Sequence, residues 1–191
     1  MTRDELLDMF RGSGALLEGH FRLTSGLHSA GYLQCALVLQ HPVEADALGR
    51  AIADRLRDVR PTVVLSPAMG GIIIGQEVGR ALGVRAIFAE RQDGSLTLRR
   101  GFTLAPTDRV VIIEDVVTTG GSTRETIQLA TAAGCTVVGA GSIVDRSGGQ
   151  ANLGVPYVAL LQVSLPTYDP AGCPLCAQGL PVVKPGSRPT A

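Results

Sequence analysis

Of 17 cationic side chains only Lys184 is a lysine; the chain has no tryptophan and no excess of either charge, 17 basic residues balancing 17 acidic ones. Zero net charge with no long basic run leaves no electrostatic footprint for a nucleic-acid groove or an anionic membrane surface, only room for a local basic pocket. With lysine nearly absent, any chemistry needing a cation beside phosphate oxygens must use arginine, whose planar fork suits them. No apolar stretch is long enough to span a bilayer, and the charged start Met1-Thr2-Arg3-Asp4-Glu5 runs into no apolar leader segment, so a soluble cytoplasmic protein is expected. Cysteine is also scarce. Cys35 and Cys135 stand alone, and Cys173-Pro174-Leu175-Cys176 has the spacing of half a zinc site. The other half is missing nearby, since His20, His28 and His41 lie far upstream. The motif therefore reads as a reduced turn, with a zinc site, a dimer-shared metal or a regulatory disulfide as the alternatives.

What is present suits one compact domain with a small appendage: 191 residues, 45% of them hydrophobic. Thr2-x-x-Glu5 has the form of a capping box opening an amphipathic helix that ends near Gly12 to Gly14. Residues 21–34 read as a turn-rich segment. Apolar residues from Val43 to Asp58 recur at helical spacing. Strands and helices then alternate: strands over 62–66, 84–89, 109–115, 136–144 and 157–163, helices over 71–82 and 122–133. That alternation predicts an α/β fold with a parallel sheet covered by helices on both faces. The tail after Pro166, rich in proline and glycine, is expected to be irregular.

The most informative stretch is Val110-Val111-Ile112-Ile113-Glu114-Asp115-Val116-Val117-Thr118-Thr119-Gly120-Gly121-Ser122-Thr123. Four β-branched residues form a buried strand that delivers Glu114 and Asp115 to its C-terminal end, where ligands settle in open α/β sheets. Gly120 and Gly121 let the backbone approach an anion, and Ser122 or Thr123 is expected to cap the helix starting there. Backbone N–H groups at such a helix start bind phosphate without lysine. The two carboxylates repel phosphate, so they suit sugar hydroxyls or a magnesium ion with its waters. A sugar phosphate fits both halves. Competing phosphate motifs fail: there is no Gly-x-x-x-x-Gly-Lys-Ser/Thr, and Gly139-Ala140-Gly141 lacks the third glycine of a dinucleotide fingerprint.

This stretch resembles the phosphoribosyl diphosphate (PRPP) signature of the type I phosphoribosyltransferases. Three further segments are similar to the orotate phosphoribosyltransferases, so that the likeness covers nearly the whole chain. Ser25-Gly26-Leu27-His28-Ser29-Ala30-Gly31-Tyr32 matches an N-terminal hood element that places Tyr32 over a pyrimidine. Phe88-Ala89-Glu90-Arg91 with Leu98-Arg99-Arg100-Gly101-Phe102 resembles the strand and mobile catalytic loop closing over the diphosphate. Val144-Asp145-Arg146 stands where that family has the arginine that pairs with the orotate carboxylate, at a matching spacing from Thr118, an orotate-contacting threonine. Ser66-Pro67-Ala68-Met69-Gly70-Gly71 resembles the diphosphate loop. Cys-Pro-Leu-Cys with Lys184-Pro185-Gly186-Ser187-Arg188 recurs in one branch of these enzymes.

The resemblance implies a type I phosphoribosyltransferase-like fold in a single domain over 1–191, with an α/β core over 41–165 and a hood made of residues 1–40 and the tail. It implies that PRPP is held by Glu114, Asp115, Val116, Val117, Thr118, Thr119, Gly120, Gly121 and Ser122 with Met69 and Gly70. Orotate falls to Thr118, Arg146, Tyr32 and Ser25. Catalysis falls to Asp115 and Glu114 with Arg91, Arg99 and Arg100, and Mg²⁺ is carried by PRPP and water rather than by direct protein ligands. A homodimer is implied as well. Common members carry lysine where this chain has Thr24 and Gly70, and lysines and a histidine in a longer mobile loop; here the three arginines are expected to supply the positive charge. An enzyme acting on a purine base, and a non-catalytic sensor of PRPP or nucleotides, are the alternatives.

Overall fold

The computed structural model describes residues 1–23 and 25–184; Thr24 and the Pro185-Gly186-Ser187-Arg188 part of the tail motif lie outside the described residues. Helix α1 (Arg3–Gly12) opens with the expected capping box: Thr2 Oγ1 accepts from Glu5 N at 3.3 Å, and the Glu5 carboxylate accepts from Thr2 N at 2.7 Å. Two reciprocally satisfied amides fix this start. After β1 (Leu16–Arg22), β2 (His28–Leu33) and the short α2 (Cys35–Leu39), helix α3 (Pro42–Leu56) begins with proline in its first turn, where the missing N–H costs no helical bond.

A six-stranded sheet follows, built from β3 (Val63–Pro67), β4 (Arg85–Gln92), β5 (Ser95–Leu98), β6 (Arg109–Val117), β7 (Thr136–Asp145) and β8 (Tyr157–Gln162), in the order β5-β4-β3-β6-β7-β8. All pairs are parallel except β4–β5. Alternate residues of the β-branched strands face opposite cores. Val64, Val111 and Ile113 join the cluster containing Leu48, Ile52 and Val78, which belong to α3 and to α4 (Gly71–Leu82). Val63, Leu65, Val110 and Ile112 join Ala130 of α5 (Gly121–Ala132) on the other face. Burial on both faces explains the near-continuous apolar runs. Each fully buried isoleucine or leucine contributes roughly 1.5–3 kcal/mol to holding the layers together.

Helix α4 lies unusually close to the sheet. A Cβ at Gly75 would meet Ser66 Oγ at 2.1 Å, and one at Gly79 would meet Ala86 Cβ at 2.8 Å, so this face admits only glycine. Strand order reverses between β3 and β6: one is followed in space by β4, the other by β7. At such a switch point the loops after the two strands splay apart and leave a crevice at the carboxyl ends. The loops in question are 68–70 and 118–120.

A second, three-stranded sheet pairs β1 with β2 and β2 with β9 (Thr167–Tyr168). Residues 21–34 are thus mostly strand rather than turn. Apolar alternation is missing there because polar residues fill the buried positions: His28 bonds to His20, and Ser29 Oγ donates to the Pro166 carbonyl at 3.1 Å. The tail is largely irregular as expected, with β9, a 3-10 turn over 170–172 and a one-turn helix α6 (Pro174–Ala177) within it. No described helix is long and apolar enough to cross a membrane.

Candidate active site

The switch point presents Glu114 and Asp115 near the C-terminal end of β6, with the bend 118–120 leading directly into α5. Gly120, at φ +77°, is the N-cap; a Cβ there would meet Leu153 at 2.7 Å and Arg124 at 2.9 Å as well as straining the backbone. The expected capping by Ser122 or Thr123 does not occur: no side chain caps α5, and Thr123 is buried. A left-handed glycine turns the chain instead, which leaves the first-turn amides and the positive helix end for an anion.

Both carboxylates pay for their position. Desolvation, reinforced by the charge of Asp115, pushes Glu114 up to about 9, and its Oε2 is buried with no hydrogen-bond partner. Desolvation also raises Asp115, although its Oδ1 accepts from Val116 N at 2.9 Å. The loop after β3 faces these acids. A Cβ on Gly70 would meet the Asp115 carboxylate oxygens at 2.6 and 2.7 Å, so glycine leaves that carboxylate uncovered. Ser66 Oγ is a second buried atom with no partner, and Met69 stands 83% exposed at the loop tip. The Ala68–Met69 peptide is cis.

Beside the acids lies a cleft of about 730 Å³ whose wall includes Ser25, Tyr32, Thr118, Thr119 and Arg146. All four residues assigned to a base from sequence therefore line one cavity, and the two threonines of the 118–120 bend open into it. Arg146 follows β7; its amide donates to the Val117 carbonyl at 2.8 Å, which locks it to the end of β6. Its neighbour Asp145 is turned away, accepting from Ser147 N at 2.7 Å. Arg146 makes no ion pair among the described residues, and burial lowers its pKa from the usual arginine value. A half-buried guanidinium without an anion is a recognition element for one.

The arginines before and after residue 95 are arranged otherwise. Asp93 and Gly94, both at positive φ, close β4 and β5 with a two-residue turn, so the expected mobile loop is a tight hairpin at this point. Glu125 of α5 clamps it, accepting from Leu96 N at 2.7 Å and from Arg91 at 2.8 Å; Arg91 also donates to the Gly94 carbonyl. Arg100 makes a two-pronged pair with Glu90 at 2.7 and 2.8 Å and lies over Phe88. Arg99 is exposed.

Several residues escaped the sequence reading. Gln150, Leu165 and Thr167 line the cleft, the last from a tail whose composition carried no signal. Cys35 is fully buried; desolvation and the charge of Asp115 push its thiol well up, with Arg146 opposing them. The histidines judged too distant in sequence are adjacent in space: His20, His28, Cys173 and Cys176 converge, with one donor atom from each within 4.8 Å of the others. The cysteines are free, as a reduced turn requires; what is corrected is the expectation that no histidine pair stands near them, because the β1–β2 sheet and the tail close a sequence separation of 153 residues between His20 and Cys173.

Comparison with known proteins follows the same lines. The profile of the phosphoribosyl transferase domain matches residues 36–162. The chain is 57% identical over 190 residues to an orotate phosphoribosyltransferase of Heliobacterium modesticaldum, covering 98% of this chain and 100% of that protein. It is 56% identical over 188 residues to one of Pelotomaculum thermopropionicum, covering 98% and 99%. The crystal structure of orotate phosphoribosyltransferase from Aeropyrum pernix superposes with a TM-score of 0.70 at 25% identity, covering 83% of this chain and 93% of that one.

Proposed function

The chain belongs to the orotate phosphoribosyltransferases, and from that membership we propose how its own residues divide the work of moving the ribose 5-phosphate group of PRPP onto N1 of orotate. The products are orotidine 5′-monophosphate and diphosphate, in pyrimidine biosynthesis. The observation that carries the division is a shared cleft: Thr118 and Thr119, which follow the paired acids along the chain and lead into the uncapped start of α5, line one cavity with Arg146.

The 5′-phosphate rests on the first-turn amides of α5, with Val116, Val117, Thr118, Thr119, Gly120, Gly121 and Ser122 as its wall. Ribose hydroxyls donate to Glu114 and Asp115, of which Glu114 Oε2 has no hydrogen-bond partner in the protein. The diphosphate lies along Met69 and Gly70. Arg146 pairs with the orotate carboxylate, the group that distinguishes orotate from uracil; Tyr32 covers the ring, and Ser25 and Thr118 add polar contacts. Held at both ends, the anomeric carbon faces N1 at the start of the reaction, which removes most of the orientational cost. As the C1–oxygen bond breaks, positive charge grows on the ribose beside the two carboxylates and negative charge on the diphosphate beside Arg91, Arg99 and Arg100.

The donor set fits a divalent cation. A buried carboxylate oxygen without a partner and an uncovered neighbouring carboxylate are hard oxygen donors. Glu114 and Asp115 would hold Mg²⁺ through ribose oxygens and water rather than directly, and the ion supplies neutralisation of the departing diphosphate. We further infer a homodimer. An apolar groove of about 340 Å³ lined by Ile72, Ile73, Phe88 and Phe102 adjoins the diphosphate loop, and Ile73 is 46% exposed there. A second copy covering this face would bring its hairpin arginines near the site. A cytoplasmic setting agrees with four free thiols.

The assay follows orotate absorbance with PRPP and Mg²⁺, run beside adenine, hypoxanthine and uracil and repeated with Arg146→Met. Consumption of orotate alone, with its KM raised by about 100-fold or more in the variant, is expected; truncating one partner of a desolvated charge pair costs about 2–5 kcal/mol. Equal use of uracil, or an unaltered orotate KM, would overturn the role given to Arg146.

A further inference from the structure

We propose that His20, His28, Cys173 and Cys176 form a structural zinc site that fastens the C-terminal tail to the three-stranded sheet. Four donors, each able to contribute one soft or borderline ligand atom, meet at a single point. His20 Nε2 lies 2.8 Å from His28 Nδ1, Cys173 Sγ lies 3.5 Å from His20 Nε2, and Cys176 Sγ lies 3.8 Å from His20 Nε2 and 3.4 Å from His28 Nδ1. With zinc–sulfur bonds of about 2.3 Å and zinc–nitrogen bonds of about 2.0–2.1 Å, tetrahedral donors stand roughly 3.3–3.8 Å apart. These three cysteine–histidine separations fall in that range; the two histidine nitrogens need to part by about half an ångström, within reach of small ring rotations.

The surroundings support ligation. His20 donates from Nδ1 to the Leu180 carbonyl at 2.8 Å, which fixes the tautomer that turns a bare Nε2 toward the centre. His20, His28 and Cys173 are buried while Cys176 is exposed, so the site is walled on three sides and has an entry path. Cys173 and Cys176 have the close-pair spacing common in zinc sites, whereas His20 and His28 come from neighbouring antiparallel strands. A Cys₂His₂ set with no open position is a structural site rather than a catalytic one.

The consequence is mechanical. The strand that carries His28 pairs with Tyr168 and ends in the segment bearing Tyr32, and Val183 hydrogen-bonds across to His20 and Arg22 at 2.8 Å each. Zinc would make that docking permanent and thereby hold the walls of the cleft supplied by Leu165 and Thr167. This proposal is independent of the assignments within the active site.

The test uses the full chain, purified under reducing conditions and reconstituted with ZnCl₂, with metal content measured by mass spectrometry. About one zinc per chain is expected, retained through gel filtration, with the melting temperature falling by at least about 5 °C when a strong chelator removes it. Replacement with Co²⁺ should give the intense visible bands of a tetrahedral ion and thiolate-to-cobalt charge transfer in the near ultraviolet. Cys176→Ser should lose the metal, whereas Cys135→Ala should keep it. Should Cys176→Ser fail to fold, the cobalt spectrum of the unaltered chain still decides. Metal below about a tenth of an equivalent after reconstitution, a cobalt spectrum without thiolate bands, or a Cys173–Cys176 disulfide persisting in reductant would each overturn the proposal.

Discussion

Two charged regions flank the crevice, and they are prepared in opposite ways. Glu114 and Asp115 are half-buried, desolvated and short of partners, one carboxylate oxygen having none. Arg91 and Arg100 are exposed and already paired, with Glu125 and Glu90. The acids therefore hold unfavourable energy, which in the proposed division a sugar relieves on arrival, and they sit ready in one geometry. The arginines hold little, because exposed ion pairs are weak, and can exchange a carboxylate for a diphosphate at small cost. One region is preorganised and the other is recruited. Such a division matches the reaction: ribose must be placed before chemistry, whereas diphosphate charge needs meeting only as it develops.

Replacing a preorganised acid should hurt function most while sparing the fold. Asp115→Asn keeps the shape and removes the charge, so kcat/KM for PRPP should drop by about 100- to 1,000-fold, each lost charged hydrogen bond being worth about 1.5–3 kcal/mol. Because burial disfavours the Asp115 carboxylate, the melting temperature at neutral pH should hold or rise. Steady-state kinetics beside calorimetric melting check both halves, and near-normal kinetics would sink the assignment of the ribose site. The recruited region should respond less. Arg99→Ala with Arg100→Ala is expected to lower kcat by about 10- to 100-fold with little change in melting temperature. A drop confined to stability, with turnover intact, would show these arginines to be surface charge and would erase the contrast drawn above.

How much of this was readable in advance follows from where the information lies along the chain. The cradle is contiguous: a β-branched strand, two acids and a glycine turn lie within 110–123, and local chemistry was enough to place them. Helix α4 was bounded correctly at Gly71 and Leu82 because its apolar period runs between a glycine loop and Gly83. Strand β2 was missed because His28 and Ser29 are buried polar residues whose partners, His20 and Pro166, lie outside any local window. The hairpin at 92–95 does carry a local signal, Asp93-Gly94 between two extended segments, which the family's longer loop masks. The expected cap at Ser122 or Thr123 lost to Gly120, whose left-handed backbone turns the chain into α5 with no side-chain cap bond. The Cys–His cluster needed a tail to cross the whole molecule, which no spacing rule expresses.

The smallest expected effect is the sharpest probe of the acids' stored energy. In the unfolded chain Glu114 loses its proton near 4.5, whereas the folded protein keeps it until about 9. Across that interval the folded state binds more protons than the unfolded one, so this residue makes stability fall as pH rises, with its full penalty present above the folded value. Glu114→Gln has no proton to hold and escapes the penalty. The variant's melting temperature should therefore be nearly equal to that of the unaltered chain at pH 5 and exceed it by a growing margin toward pH 9, by a few degrees per pH unit. PRPP with Mg²⁺ should narrow the margin, because ligand contacts favour the ionised carboxylate only where one exists. Thermal melts across the range settle the sign: a margin that shrinks with pH in the free protein would mean Glu114 is ionised and satisfied without ligand, and the acids would then be no more preorganised than the arginines.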